Sequence, residues 1–273
     1  MKIGIIGGLG SMGKVFSELF ATQKIECLIA DLKTELSIES LTSLVDVVIV
    51  SVPISETDKV LKQIAPWLSA SQLLVDLTSL KVEPLKEMAQ SKAEILGLHP
   101  MFGPGHRSLE GQTLIACPLR SGPLAKEFLQ ILARAGLIVK ELTAEKHDKL
   151  MAVVQGLNHI SSLVMAATLK DLDINLGETL EISSPVFKIR SYLFLRLLSQ
   201  SAKLYADISI QNPNTVQVLK VLKENTDKIA DIVNSKDTAA FENVFKSAAE
   251  YFSKEMNQGV ENSNKLINCL SEH

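Results

Sequence analysis

Lys2-Ile3-Gly4-Ile5-Ile6-Gly7-Gly8-Leu9-Gly10-Ser11-Met12-Gly13 is the stretch on which the fold class turns. Residues 2–6 are an apolar run, read as a first strand. Lys14 to Phe20 follow, with Val15, Phe16, Leu19 and Phe20 at the spacing of one helical face. Gly8, Gly10 and Gly13 therefore fit G-x-G-x-x-G between a strand and a helix. The pattern alone is weak, but in this context it has a mechanism. Gly8 would permit the tight turn, Gly10 would let backbone approach a pyrophosphate, and Gly13 would let helix pack on strand. Leu9, Ser11 and Met12 complete the loop. The helix start would offer free N–H groups and a positive dipole end to phosphates.

Outward from this loop the chain alternates strands and helices. Ile25 to Ala30 reads as a second strand, and Asp31 at its end lies 18 residues after Gly13 (31 minus 13). That is near the spacing at which a carboxylate binds the adenosine ribose hydroxyls, which favours NAD over NADP. Lys33 pulls weakly the other way, and the ordinary alternative is a turn aspartate. Val45 to Pro53 is a β-branched run, hence a buried parallel strand. Its end, with Ser51 and Pro53, should lie beside the cofactor. Ser55 and Asp58 resemble a capping box opening a helix over 55–68. Leu73 to Leu77 is the next strand, followed by Thr78-Ser79-Leu80-Lys81. A loop serine and a solvated lysine would be the ordinary reading of Ser79 and Lys81. The next strand end changes it.

Ile95-Leu96-Gly97-Leu98 reads as a buried strand, and His99 follows at its C-terminal end. Pro100 holds His99 in extended geometry, and Gly103 with Pro104 turns the chain away. Sequential βα units bring such strand ends to one rim, where ligands bind. A cationic segment, Gly105-His106-Arg107-Ser108, comes next. Strand-like runs at 114–118 and 137–141 flank a helix at 123–135. From 143 onward only helical patterns remain: 143–171, 175–182, 185–199, 201–211, 214–234, 237–257 and 258–270. The expected organisation is an α/β nucleotide-binding domain over 1–142 and an all-α domain over 143–273.

Two places in the helical half carry polar residues among apolar ones. Gln155 and His159, four apart, would share a face of a helix apolar enough to be buried on most sides, and Gly156 beside them would allow close approach of something. A satisfied core histidine is the plain alternative; the cluster favours a pocket lining. Arg196, in Leu193-Phe194-Leu195-Arg196-Leu197-Leu198, has no acid within one turn. It would either reach water or meet an anion, and a ligand carboxylate is a serious candidate. Lys188 and Arg190 are weaker ones.

Bulk properties exclude other classes. With 273 residues, 46% hydrophobic, 22% charged, a net charge of −3 and pI near 6.0, the chain gives no reason to expect nucleic acid or an anionic membrane as partner. No apolar run reaches the roughly 18 residues of a membrane span, and no signal-peptide pattern precedes the first strand, so a cytoplasmic protein is expected. Cys27, Cys117 and Cys269 are odd in number and far apart, without a C-x-x-C pair. No residue set resembles a metal site.

Taken together, Gly7 to Gly13, Asp76 to Lys81, the segment Leu98-His99-Pro100-Met101-Phe102-Gly103-Pro104 and Leu204-Tyr205-Ala206-Asp207-Ile208 resemble prephenate dehydrogenase. The nearest resemblance is to the dehydrogenase part of the bifunctional chorismate mutase–prephenate dehydrogenases, and it runs to about residue 255. Neither a mutase nor a regulatory domain is expected in this chain. Where bifunctional members carry a short acidic loop, this chain has Gly105-His106-Arg107. The resemblance implies a Rossmann-type domain, then a helical domain that forms a homodimer, with the active site between them. It implies His99 as the base for the ring hydroxyl of prephenate and Ser79 as the group that steadies it. It implies Arg196 on the ring carboxylate, His159 and Gln155 lining the pocket, and Lys81 adding positive charge. Hydride would pass to NAD, carbon dioxide would leave, and 4-hydroxyphenylpyruvate would form in tyrosine biosynthesis. The rivals are arogenate dehydrogenase, a non-catalytic NAD-sensing dimer, and a β-hydroxyacid or imine reductase. The sensor would need the glycines and Asp31 but not His99, Ser79 or Arg196. Such β-hydroxyacid enzymes generally use a lysine on the interdomain helix, where this chain has Gln155 and His159.

Overall fold

The run Ile3–Ile6 (β1) is buried along its whole length, as a strand with helices on both faces must be. The computed structural model describes residues 1–105 and 108–271. After β1 come α1 (Ser11–Thr22), β2 (Cys27–Ala30), α2 (Ile38–Leu44), β3 (Val47–Val50), α3 (Ile54–Ile64) and β4 (Leu73–Asp76). Then follow α4 (Val82–Met88), β5 (Glu94–Pro100), β6 (Thr113–Arg120), α5 (Pro123–Arg134), β7 (Ile138–Glu141) and α6 (Ala144–Met151). The seven strands form one sheet in the order β2-β1-β3-β4-β5-β6-β7. β1 to β5 pair in parallel, β6 runs antiparallel to β5, and β7 is parallel to β6.

Period-two alternation divides each strand between two cores. Ile3, Ile5, Val47, Ile49, Leu73 and Val75 meet Phe16 and Phe20 of α1 and Phe128 of α5. Val48, Val50, Leu74 and Ile95 face the other way, against Leu41, Leu61, Leu85 and Met151 of α2, α3, α4 and α6. This is the doubly wound α/β architecture expected of the first half.

Three local expectations change. The tight turn after β1 falls on Gly7, which has φ +79°, not on Gly8. Gly8 instead lies where a Cβ would meet Ile29 at 2.6 Å, so it serves close packing on β2. Helix α3 has Pro53 as its N-cap and no side-chain cap, so Ser55 is already inside the helix and the Ser55–Asp58 box does not form. β5 extends beyond residue 98, because β6 runs beside it and pairs Ile115 with His99 and Leu114 with Pro100.

Two compact units are present: Met1–Ala152 with Ala206–Asn212, and Val153–Tyr205 with Pro213–His273. The helices after α6 are α7 (Asn158–Asp171), α8 (Leu176–Glu181), α9 (Pro185–Leu198), α10 (Ala202–Gln211), α11 (Asn214–Ser235), α12 (Thr238–Tyr251) and α13 (Ser253–Ser271). Asn175, Ser184 and Asp237 cap α8, α9 and α12 with their side chains. A π-helical turn over Ala152–Leu157 interrupts what the sequence reads as one helix.

Helix α7 contains no buried residue, against the expectation that its apolarity would bury it on most sides. Leu163 and Val164 are 52% and 53% exposed. An apolar helix signals that its surface needs a cover, not that the same chain provides one. By length and mean hydropathy alone, Ala144–Asp171 would also suffice to cross a bilayer. Its first turns hold Glu145, Lys146, His147, Asp148 and Lys149, and His147 and Asp148 are buried within the sheet unit.

Candidate active site

At the end of β1 the sheet order diverges, with β2 on one side and β3 on the other. Such a switch point is where open α/β sheets take ligands. The Gly7 N–H donates to Ala30 O at 2.8 Å and the Ser51 N–H to Ile6 O at 2.8 Å, so the two strand ends flank the glycine loop. Gly10 caps α1 without any side-chain acceptor, which leaves the first-turn N–H groups of a 12-residue helix for a ligand. A Cβ on Gly13 would sit 2.6 Å from Gly7 O, so only glycine permits this approach of helix to loop. Asp31 lies at the end of β2, and its Oδ2 accepts the Leu9 N–H at 3.1 Å. Leu9, Gly10, Ser11 and Pro53 are exposed there, and Met12 and Ser51 half-buried. These residues fit a dinucleotide: a glycine cradle, unclaimed donors at a helix start, and a carboxylate one strand away.

Further along the same rim, β4 ends on Asp76, a carboxylate with no exposure. Its Oδ1 accepts from the Thr78 N–H at 2.9 Å, from the Thr78 hydroxyl at 2.6 Å and from Lys81 Nζ. Lys81 is itself 0% exposed. This corrects the expectation that Lys81 adds positive charge for a substrate. Its ammonium is neutralised inside the fold, because a lysine is not left without a counter-ion when fully buried. Gly97 of β5 makes room for the pair, since a Cβ there would meet Lys81 Cδ at 2.8 Å and Asp76 Oδ2 at 3.1 Å. Ser79, between these residues, is half-buried in the loop.

His99 is 3% exposed near the end of β5. Its Nδ1 lies 2.9 Å from Nε2 of His147, and Nδ1 of His147 lies 2.7 Å from Oδ1 of Asp148. The partner at Nδ1 is therefore His147 on α6, where the resemblance put the steadying role on Ser79. Asp148 also accepts the backbone N–H groups of Lys81 at 2.9 Å and Val82 at 3.0 Å, capping α4 from a distance in sequence. Asn212 donates to the Asp148 carbonyl at 2.7 Å. Burial first, then the charges of His147 and Lys81, hold the His99 imidazole well below its ordinary range. A neutral imidazole at a strand end can accept a proton.

Within the helical unit, Gln155 falls in the π turn and His159 in α7. Both are half-buried. His159 meets the Tyr205 ring edge-on at 4.5 Å, and its Nδ1 is buried without a hydrogen-bond partner among the described residues. Burial holds its imidazole below the ordinary range. What approaches Gly156 is Thr215, whose Oγ1 would lie 3.2 Å from a Cβ there. Arg196 is exposed on α9 and forms no ion pair among the described residues. His106 and Arg107 lie outside the described residues.

Residues 13–139 match the family model described as prephenate dehydrogenase, nucleotide-binding domain, and residues 143–247 match prephenate dehydrogenase, dimerization domain. The T-protein of Haemophilus influenzae is 32% identical over 97% of this chain and 71% of its own length. The chain belongs to the prephenate dehydrogenase family. A Methanocaldococcus jannaschii protein named "Probable arogenate/prephenate dehydrogenase" is 31% identical over 99% of this chain, which spans 65% of that relative's length. Among solved structures, prephenate dehydrogenase from Aquifex aeolicus superposes with a TM-score of 0.75 at 17% identity, covering 93% of this chain and 99% of that one. Synechocystis arogenate dehydrogenase gives 0.72, also at 17% identity, with coverage of 93% and 99%. These superpositions speak for the fold.

Sequence reasoning placed His99 at the end of a strand, where it lies, but did not single out its neighbours Asp76, His147 and Asp148. Asp76 left a signal, as the one charge in the apolar run Leu73 to Leu77. His147 and Asp148 left almost none. They stand in the polar first turns of a helix, and their partners lie 48 and 67 residues earlier.

Proposed function

We propose that this chain catalyses the oxidative decarboxylation of prephenate to 4-hydroxyphenylpyruvate with NAD as oxidant, as a homodimer joined through its helical half. The observation that carries the reading is His99, a neutral imidazole at the carboxyl edge of the sheet that also bears the dinucleotide cradle. In this reading His99 receives the proton of the ring hydroxyl, and Ser79 holds that hydroxyl in place. Bound NAD would supply the hydride acceptor. Arg196 takes the ring carboxylate, to which a guanidinium offers a planar two-point match. His159 and Gln155 line the same pocket, and the orphaned Nδ1 of His159 supports a polar ligand there. Aromatisation of the ring drives loss of carbon dioxide. Asp31 at the end of β2 supports NAD over NADP.

Arogenate is the second reading, favoured by the mixed naming of the relatives. It differs only in carrying an amino acid side chain in place of the keto acid. The exposed apolar faces of α7, α9 and α12 support dimerisation, as does a groove of about 780 Å³ lined by Ile232, Val244, Tyr251 and Phe252. A non-catalytic nucleotide sensor is not favoured, since it has no use for His99. Initial rates with prephenate and arogenate, each with NAD and NADP, test all four combinations. The expected ranking puts prephenate with NAD first. A clear preference for arogenate or for NADP replaces that part of the reading.

A further inference from the structure

We propose that His147 and Asp148 are positioning residues that hold His99 in its Nδ1–H tautomer, so that its Nε2 is the proton acceptor. The inference rests on the reading of His99 as the base. It follows from the order of donors and acceptors along the chain of three side chains.

Among the described residues, the Asp148 carboxylate faces donors only. Its Oδ2 accepts the Val82 N–H at 3.0 Å, and its Oδ1 accepts the Lys81 N–H at 2.9 Å. The remaining contact on Oδ1, at 2.7 Å, is Nδ1 of His147, which must therefore carry a hydrogen. We take His147 in the form with a single N–H, the one on Nδ1, which makes its Nε2 an acceptor. At 2.9 Å from it, Nδ1 of His99 must then be the donor. That places the lone pair of His99 on Nε2. Both rings and the carboxylate are buried, at 3%, 0% and 4% exposure, so water does not compete for these bonds. When Nε2 takes a proton, His99 becomes an imidazolium, and its Nδ1–H···Nε2 bond to His147 strengthens. Asp148 stabilises the charge through the intervening ring.

The network is also tied to the fold. Asp148 caps α4 through two backbone N–H groups, and Asn212 bonds the Asp148 carbonyl at 2.7 Å. A change at Asp148 therefore disturbs stability as well as tautomer, and His147 is the cleaner handle. His147→Leu removes the acceptor and keeps an apolar filling. His147→Gln restores an amide oxygen at similar reach.

The test has a spectroscopic and a kinetic arm. Long-range proton–nitrogen NMR on protein labelled at its five histidines reads which ring nitrogen of His99 bears hydrogen. The wild-type chain shows Nδ1–H without any ligand. His147→Leu shifts His99 toward Nε2–H and lowers kcat about 10²–10⁴-fold, the range for losing a correctly disposed base. KM for NAD is unchanged, and His147→Gln recovers most of the rate and the tautomer. A wild type with Nε2–H on His99 overturns the proposal whether or not the variants fold. So does a folded His147→Leu protein that keeps both Nδ1–H and its kcat. If the wild type oxidises neither prephenate nor arogenate, the proposed function fails, while the tautomer still decides this inference.

Discussion

In the sheet unit a set of charged and imidazole side chains lies inside and paired; in the helical unit many large apolar side chains lie outside. Asp76, Lys81, His99, His147 and Asp148 are all at or below 4% exposure, and each is bonded to another member of the set or to backbone. By contrast Val153, Val186, Leu193, Phe245 and Phe252 are between 48% and 69% exposed. The first arrangement costs desolvation that only good partners offset, so it marks where electrostatics is organised for chemistry. The second leaves hydrophobic free energy unrealised at roughly 25 cal/mol per Å², so it marks where something else must pack. The helical unit requires a cover, which the proposed second copy supplies.

The contrast is sharpened first at His99. His99→Asn is expected to lower kcat about 10²–10⁴-fold while the protein melts normally and binds NAD as before. Because burial and nearby charge hold this imidazole below 6.5, the wild-type rate should stay flat as pH falls to 6.5 and decline only at lower pH. The sign for stability is the same. Unfolded His99 binds a proton more readily than folded His99, so its part in stability is complete above pH 6.5 and is lost as pH falls through the folded value. A folded His99→Asn enzyme with wild-type turnover would show that another group is the base.

Lys81 comes next. If it is the structural partner of Asp76, Lys81→Met leaves a buried unpaired carboxylate and costs about 3–5 kcal/mol of stability. Chemical denaturation reads this directly. If Lys81 binds substrate instead, the variant melts normally and loses prephenate affinity, and the interior pair has been misjudged.

Arg196 gives a smaller effect in the other unit. It is exposed, so Arg196→Ala should leave stability unchanged. Loss of a charge-assisted contact of about 1.5–3 kcal/mol corresponds to roughly a ten- to 150-fold weaker interaction, seen mainly in KM for prephenate. Normal prephenate kinetics in the folded variant would remove it from the site. The smallest change is in mass. Light scattering at micromolar concentration should give twice the chain mass, and a monomer would leave the apolar faces of α7, α9 and α12 unexplained.

How far the sequence could be read follows the same division. The doubly wound sheet was legible because glycine spacing and period-two burial are local signals, carried by Gly7 to Gly13 and by Ile3, Val47 and Leu73. The antiparallel β6 was not, because nothing within Thr113–Arg120 states its direction relative to β5. His99 was legible from Pro100 and the strand before it. Its partner was not, since His147 reaches it only through folding. Lys81 was misread because a sequence displays a charge without its counter-ion, although Asp76 stood only five residues away. The helices of the second half were legible as elements, and their lack of cover was not.

The central claim is tested most directly by the wild-type protein itself. With NAD and prephenate, the account predicts NADH absorbance growing in step with carbon dioxide and with a product that has the ultraviolet spectrum of a phenol. The same should hold, more slowly, with arogenate. No NADH from either substrate, in protein shown to be folded and to bind NAD, would contradict it.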